Sequence, residues 1–126
     1  LPFEENCSLA KKCAKLGIAL VPLISVTTGH RAKKILKHAS GFVYMIASLG
    51  VTGSKQSPED RLKELAKNIK KISSLPVAVG FGVRSNEDAK RLRSFCDGVI
   101  MGTVLVEASK NKSVSELNAL ISELFA

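Results

Sequence analysis

The stretch PVAVGFGV at residues 76–83 joins a short apolar run to two glycines separated by one residue. A continuous apolar run with proline before it and glycine after it is typical of a strand buried on both faces of a parallel sheet. Glycine at the end of such a strand lets a ligand approach the backbone, because no side chain is in the way. Two further apolar runs end in the same manner, at GVTG (50–53) and at GT (102–103). The sequence therefore predicts three successive strands that end in glycine-bearing loops.

On both sides of this stretch, helical and strand patterns alternate along the chain. A helix is predicted over 4–16, with Gly17 ending it. Strands are predicted in the apolar runs IALVPLI (18–24), FVYMI (42–46), PVAVGF (76–81) and GVIMG (98–102). Helices are predicted over 31–38, 57–72 and 85–95 and from 113 onward, with Thr28, Ser57, Ser85 and Ser113 as their N-caps. The pattern predicts an α/β fold in which four parallel strands, each followed by a helix, come after an opening helix.

Two arrangements of such units compete: an open, doubly wound sheet and an arc of a (β/α)₈ barrel. In either fold the carboxyl ends of the strands open on one face, where the following helices direct backbone N–H groups. Barrels place a phosphate site in the loops after their seventh and eighth strands. Because the last two strands here carry the glycines, the pattern favours the barrel.

Composition and charge narrow the class of protein. The chain has 126 residues, 45% of them apolar, which predicts one domain over 1–126 with no internal linker. No apolar run approaches the roughly 20 residues that span a bilayer, so we expect no membrane segment. The three cysteines are odd in number and lack metal-site spacing, which favours a reducing cytoplasm and predicts no metal.

The net charge of +8 raises the question of nucleic acid. Most of the lysines follow the predicted helices opposite the leucines, and the chain has one tyrosine and no tryptophan. A solvated helix face explains this pattern better than a nucleic-acid footprint, so we expect no nucleic-acid partner. His30 and His38 are interpreted as surface or helix-terminal residues, and no cofactor is expected.

The glycine-bearing loops predict an anion site. Phosphate held by backbone amides needs residues without obstructing side chains, which Gly53, Gly82 and Gly102 provide, and Thr103 adds a hydroxyl. A single Gly-x-Gly motif is weak evidence for a phosphate site. Three glycine-bearing loops at the same end of a sheet are stronger evidence.

Four segments in order, LPFEE, FVYMIASLGVTG, PVAVGFGV and DGVIMGTVLV, resemble the C-terminal half of the tryptophan synthase alpha chain. The resemblance runs over essentially the whole sequence. It implies the C-terminal half of a (β/α)₈ TIM barrel that cleaves indole-3-glycerol phosphate to indole and glyceraldehyde 3-phosphate. It also implies a tryptophan synthase beta chain as partner, in an alpha2beta2 heterotetramer.

The resemblance assigns roles to particular residues. It implies phosphate contacts at Gly53, Gly82, Gly102 and Thr103, a substrate pocket at Phe81 and Val83, a tyrosine near the reacting end at Tyr44, and a loop threonine that orients a catalytic carboxylate at Thr52. Ala47, Val26 and Thr103 depart from the usual residues of the family, and Thr103 keeps the hydroxyl of the usual serine.

A barrel of this type needs about 250 residues, so half of it is absent from this sequence. The resemblance places both catalytic carboxylates in that absent N-terminal half, which would be a partner of this chain. We therefore expect the 126 residues to be inactive alone and the complete chain to be a carbon-carbon lyase. The alternative is a non-enzymatic half-barrel that binds a phosphorylated metabolite or self-associates.

Overall fold

The computed structural model describes residues 3–46, 57–80 and 82–126. In these ranges the elements are α1 (Phe3–Lys15), β1 (Leu23–Ser25), a 3₁₀ turn (Gly29–Arg31), α2 (Ala32–Leu36), β2 (Val43–Ile46), α3 (Pro58–Ile72), β3 (Val77–Gly80), α4 (Asn86–Arg93), β4 (Gly98–Val99), α5 (Thr103–Ser109) and α6 (Val114–Phe125). The four strands form one sheet in the order β1-β2-β3-β4, and every pairing is parallel. The predicted class and strand direction are confirmed.

One face of the sheet forms the core. Ile24, Val43, Met45, Val77 and Val79 alternate along β1 to β3 and are completely buried. They belong to one cluster with inward-facing residues of the helices, among them Leu62, Ala66, Ile69 and Leu92. Each large side chain buried in this way contributes about 1.5–3 kcal/mol to the stability of the fold.

The opposite face of the sheet is more open. It carries Leu23, Tyr44, Ile46, Ala78 and Gly80, all of them half-buried or exposed, and Leu23 is 57% exposed. A parallel sheet is normally covered on both faces. This face is therefore the one on which the rest of a closed barrel would pack.

The predicted caps fix three of the helices. Ser57 Oγ accepts the Asp60 N–H at 3.1 Å, and Ser85 Oγ accepts the Asp88 N–H at 3.1 Å. Ser113 and Glu116 bond reciprocally as a complete capping box. These bonds satisfy N–H groups that have no partner inside the helix, which is why the starts of the helices could be located in the sequence.

The end of α1 also follows the prediction. Gly17 adopts a left-handed φ of 69°. The Ile18 N–H donates to Cys13 O at 2.9 Å and the Gly17 N–H to Ala14 O at 3.1 Å. This is the Schellman arrangement, in which glycine satisfies the last carbonyl groups of the helix.

Three predicted boundaries were wrong. The strand expected over 98–102 is Gly98–Val99. The strand expected over 18–24 is reduced to Leu23–Ser25, and Pro22, which has no N–H to donate, lies immediately before it. The helix expected over 31–38 is Ala32–Leu36, preceded by the 3₁₀ turn.

Thr28 does not cap that helix with its side chain as expected. Its Oγ1 accepts the Ser25 N–H at 2.9 Å and lies 3.0 Å from Ser25 Oγ, which also contacts Thr27 Oγ1 at 2.9 Å. The hydroxyl group is therefore used to close the turn after β1.

Candidate functional site

A cleft of about 300 Å³ lies at the carboxyl ends of β2, β3 and β4. Its lining residues come from these strands and from the segments that follow them: Tyr44, Gly80, Gly82, Val83, Arg84, Ile100, Gly102 and Thr103. Because parallel strands all end at the same edge of the sheet, residues that are 59 positions apart in the chain, Tyr44 and Thr103, line one cleft. This is the position at which open and closed β/α folds bind ligands.

The cleft contains five of the eight predicted site residues: Tyr44, Gly82, Val83, Gly102 and Thr103. The other three, Thr52, Gly53 and Phe81, lie outside the described residues, as do Gly50 and Ala47. Val83 is only 5% exposed and belongs to the hydrophobic core, so it forms part of the wall of the cleft and also anchors the segment after β3.

Gly82 has a backbone conformation that explains its identity. Its φ is +51°, in the left-handed region that residues with a side chain rarely adopt. A Cβ built there would meet no atom of the described residues within 4 Å, so nothing in that part of the chain fills the space beside it. The residue is thus glycine for conformational reasons, and it leaves a stretch of bare backbone exposed.

Gly102 and Thr103 begin α5. Gly102 is the N-cap, its carbonyl accepts the Val106 N–H at 3.0 Å, and no side chain caps the helix. Both residues are exposed, and a Cβ at Gly102 would also be more than 4 Å from every atom in the part of the chain that the structure describes. The first N–H groups of a helix lack intrahelical partners, so this uncapped end offers donors and the Thr103 hydroxyl to a ligand.

Helix α5 itself was not predicted. Its sequence, TVLVEAS, continues the apolar pattern of the preceding strand and contains two β-branched valines, which favour strand. The signal available in the sequence was weak, because glycine replaces the serine, threonine or aspartate that usually marks a helix start.

The side chain of Tyr44, on β2, lies next to Gly80 on the neighbouring strand β3. A Cβ added at Gly80 would be 2.7 Å from Tyr44 Oη and 3.1 Å from Cε1 and Cζ of the same ring. Gly80 has no positive φ, so the phenol ring, and not the backbone, accounts for glycine at this position. The absence of a side chain on β3 allows the ring to lie on the open face of the sheet and to line the cleft.

Arg84 is a cleft residue that the sequence analysis missed. Its N–H donates to Asp88 Oδ2 at 3.2 Å, while Arg91 Nη2 donates to Asp88 Oδ1 at 2.7 Å. The Arg84 N–H bond, followed by the Arg91 guanidinium, holds the pKa of Asp88 below its usual value. The signal in the sequence was a basic residue two positions after the Gly-x-Gly pair.

Two further acidic residues, at the start of α3, have structural partners. Glu59 pairs with Lys63 at 3.1 Å and with Arg91 at 2.8 Å, and Asp60 accepts the Ser57 hydroxyl at 2.7 Å. Within the described ranges, no three His, Cys, Asp or Glu side chains are grouped to hold a metal ion, and no helix has the length and apolar character to cross a bilayer.

Cys96 is buried, and burial raises the pKa of its thiol. Its Sγ lies 3.0 Å from Leu92 O. A protonated thiol in the core is a packing group and not a nucleophile.

The fold and the cleft can now be compared with known proteins. The family model described as tryptophan synthase alpha chain matches residues 1–124. The chain belongs to the tryptophan synthase alpha chain family. Its sequence is 45% identical over 126 residues to the tryptophan synthase alpha chain of Campylobacter jejuni subspecies doylei, covering 99% of this chain and 51% of that protein.

Solved structures agree with this assignment. Tryptophan synthase subunit alpha from Campylobacter jejuni is 44% identical, with a TM-score of 0.87 over 99% of this chain and 51% of its own. A mutant tryptophan synthase alpha subunit from the hyperthermophile Pyrococcus furiosus is 29% identical, with a TM-score of 0.77 over 98% of this chain and 51% of its own. The chain spans about half the length of the curated relatives it matches, and its four-stranded α/β arrangement is that of half a TIM barrel.

Proposed function

We propose that this chain is the phosphate-binding half of a tryptophan synthase alpha enzyme, a lyase that cleaves indole-3-glycerol phosphate to indole and glyceraldehyde 3-phosphate in tryptophan biosynthesis. The observation that carries the proposal is the cleft, because Gly82, Gly102 and Thr103 line it together in a chain that belongs to this family. The cleft is small, open and lined by bare backbone, which suits a phosphate group at the end of a slender substrate.

The proposed binding step uses backbone groups. N–H groups at Gly82 and Gly102, together with the Thr103 hydroxyl, would donate hydrogen bonds to phosphate oxygens. Gly53 would add a further N–H from the loop after β2. Phe81 and Val83 would line the substrate pocket, and Tyr44 would lie beside the reacting end.

Proton transfer needs an acid/base group in the cleft, and none of the lining residues that the structure describes is a carboxylate or a histidine. Among the described residues, Glu59, Asp60, Asp88 and Asp97 are each engaged in a helix cap or an ion pair. The acid/base carboxylates would come from the N-terminal half, and Thr52 would orient one of them. The 126 residues should therefore bind phosphate but not cleave the carbon-carbon bond.

Exposed apolar side chains near the two edge strands of the sheet, β1 and β4, support the presence of a partner that covers them. Leu16, Ile18 and Leu23 are 75%, 55% and 57% exposed before and within β1, and Val106 and Val114 are 61% and 75% exposed after β4. Exposed apolar residues in these numbers mark surfaces that pack against something. We propose that these side chains pack against the N-terminal half of the barrel. The complete protein would then join a beta chain in a cytoplasmic heterotetramer.

The test is a pair of glycine substitutions in the complete enzyme. Gly82→Val places a branched side chain over the bare backbone and should raise the KM for indole-3-glycerol phosphate by about tenfold or more. Gly17→Val is the matched control, because Gly17 has a φ of +69°, also has open space beside it, and lies at the end of α1. It imposes a similar backbone strain away from the cleft and should leave KM unchanged.

An unchanged KM for Gly82→Val would overturn the phosphate assignment. If the 126 residues bind a phosphorylated metabolite but no lyase activity appears when an N-terminal half is supplied, the non-enzymatic half-barrel becomes the better interpretation.

A further inference from the structure

Among the cleft-lining residues that the structure describes, one has a cationic side chain. It is Arg84, and the other seven are glycine, apolar, tyrosine or threonine. Backbone amides can hold a phosphate, but they carry no net charge with which to balance a dianion. A single arginine at the rim therefore changes the electrostatics of the cleft more than any other lining residue in the ranges 3–46, 57–80 and 82–126.

The carboxylate of Asp88, which is hydrogen-bonded to the main chain of Arg84, already has a cationic partner. Asp88 binds Arg91 through Oδ1 at 2.7 Å and the Arg84 backbone N–H through Oδ2 at 3.2 Å. Asp88 therefore fixes the main chain of Arg84 at the rim, while its own charge is paired with Arg91. In the described ranges the salt bridges involve Lys63, Lys70 and Arg91, and none involves Arg84.

We propose that the Arg84 guanidinium pairs with the phosphate dianion of the ligand and adds a charge-dependent contribution to binding by the backbone amides. The inference rests on the proposed function, since it concerns the same cleft. Guanidinium groups bind phosphate oxygens through two parallel N–H donors, which gives both affinity and orientation. Arg84 thus selects phosphorylated ligands over neutral glycerol-like ones.

The experiment measures binding of glycerol 3-phosphate to the complete enzyme by calorimetry at low and high salt. Arg84→Gln should weaken binding about five- to twentyfold at low salt, and the difference from the native enzyme should shrink at about 0.5 M salt, where exposed charges are screened. Arg93→Gln is the matched control. It removes the same charge from an exposed position in the last turn of α4 and does not line the cleft.

The outcomes separate this inference from the proposed function. If Gly82→Val abolishes binding while Arg84→Gln behaves like Arg93→Gln, the cleft binds phosphate and the role of Arg84 is wrong. A loss that is equal in Arg84→Gln and Arg93→Gln means that only the overall charge matters, which also overturns the inference. If neither Gly82→Val nor Arg84→Gln affects binding, the phosphate site itself is in the wrong place.

Discussion

The contact between Tyr44 and Gly80 yields a prediction whose sign depends on the background. In the native chain, a Cβ at Gly80 would be 2.7 Å from Tyr44 Oη and 3.1 Å from two ring carbons. The phenol ring must move to make room, and such overpacking costs about 1–3 kcal/mol. Replacing glycine by alanine within a strand returns about 0.5–1 kcal/mol. Gly80→Ala should therefore destabilise the chain by up to about 2.5 kcal/mol.

Removing the ring should reverse the effect. In a Tyr44→Ala background no phenol opposes the new methyl group, so Gly80→Ala should stabilise the chain by about 0.5–1 kcal/mol. The coupling energy between the two positions should then be about 1–3 kcal/mol, within the range for residues in direct contact. Urea denaturation followed by far-UV circular dichroism gives all four free energies of unfolding.

A neighbouring strand provides the control for this cycle. Gly98 is on β4, has no positive φ, and a Cβ there would meet Ala78 Cβ at an ordinary 3.5 Å. Gly98→Ala should be neutral or slightly stabilising in both backgrounds. If Gly80→Ala costs as much without the Tyr44 ring as with it, or if Gly98→Ala costs as much as Gly80→Ala, the steric account of Gly80 is incorrect.

Three further predictions concern a cap, a carboxylate and a loop. Ser57→Ala should lower the free energy of unfolding by about 1 kcal/mol, because the Asp60 N–H loses its acceptor; no change in the urea midpoint would count against this cap. The hydrogen bond from Lys70 is the main reason that the pKa of Asp97 is lowered in the folded chain. The ionised Asp97 therefore stabilises the fold above the unfolded pKa of about 3.9, and this contribution is lost as the pH falls through the lower folded pKa. The stability difference between the native chain and Asp97→Asn should accordingly shrink in acid, and a difference that does not depend on pH would refute this. Thr52→Val removes the hydroxyl proposed to orient a catalytic carboxylate, so it should lower kcat of the complete enzyme roughly ten- to a hundredfold. The affinity for glycerol 3-phosphate should change much less. If the variant keeps full kcat, Thr52 is only a turn residue.

The elements that could be predicted are those with local, self-contained signals. Ser57, Ser85 and Ser113 mark helix starts because the capping bond forms within four residues of chain. Gly17 marks a helix end for the same reason. The buried face of β2 and β3 follows from apolar runs that need no knowledge of their neighbours.

The errors arise where the deciding partner is distant in sequence or the local signal is ambiguous. How far β1 extends depends on its pairing with β2, and the apolar run before it continued across Pro22 without any change in hydrophobicity. Helix α5 lacks a side-chain cap and contains valines, so its sequence resembles a strand. The Tyr44 and Gly80 contact joins two strands that are 36 positions apart, and no spacing in the sequence indicates it.

The cleft likewise contains residues that the sequence could predict and one that it could not. Gly82 and Gly102 could be proposed from the glycine pattern together with the resemblance, since both follow apolar runs. Arg84 could not, because its place in the lining depends on how the segment after β3 folds, which no spacing in the sequence indicates.

Phosphate binding in the cleft can be measured by titrating the ¹⁵N-labelled 126-residue chain with glycerol 3-phosphate and following the amide chemical shifts. If the cleft binds phosphate, the amides of Gly82, Gly102 and Thr103 should show saturable changes, and glycerol should produce none at the same concentration. Phosphate binding in the cleft is contradicted if these amides stay unmoved in the folded chain at saturating ligand, or if the changes map instead to the lysine-rich faces of α2 and α3.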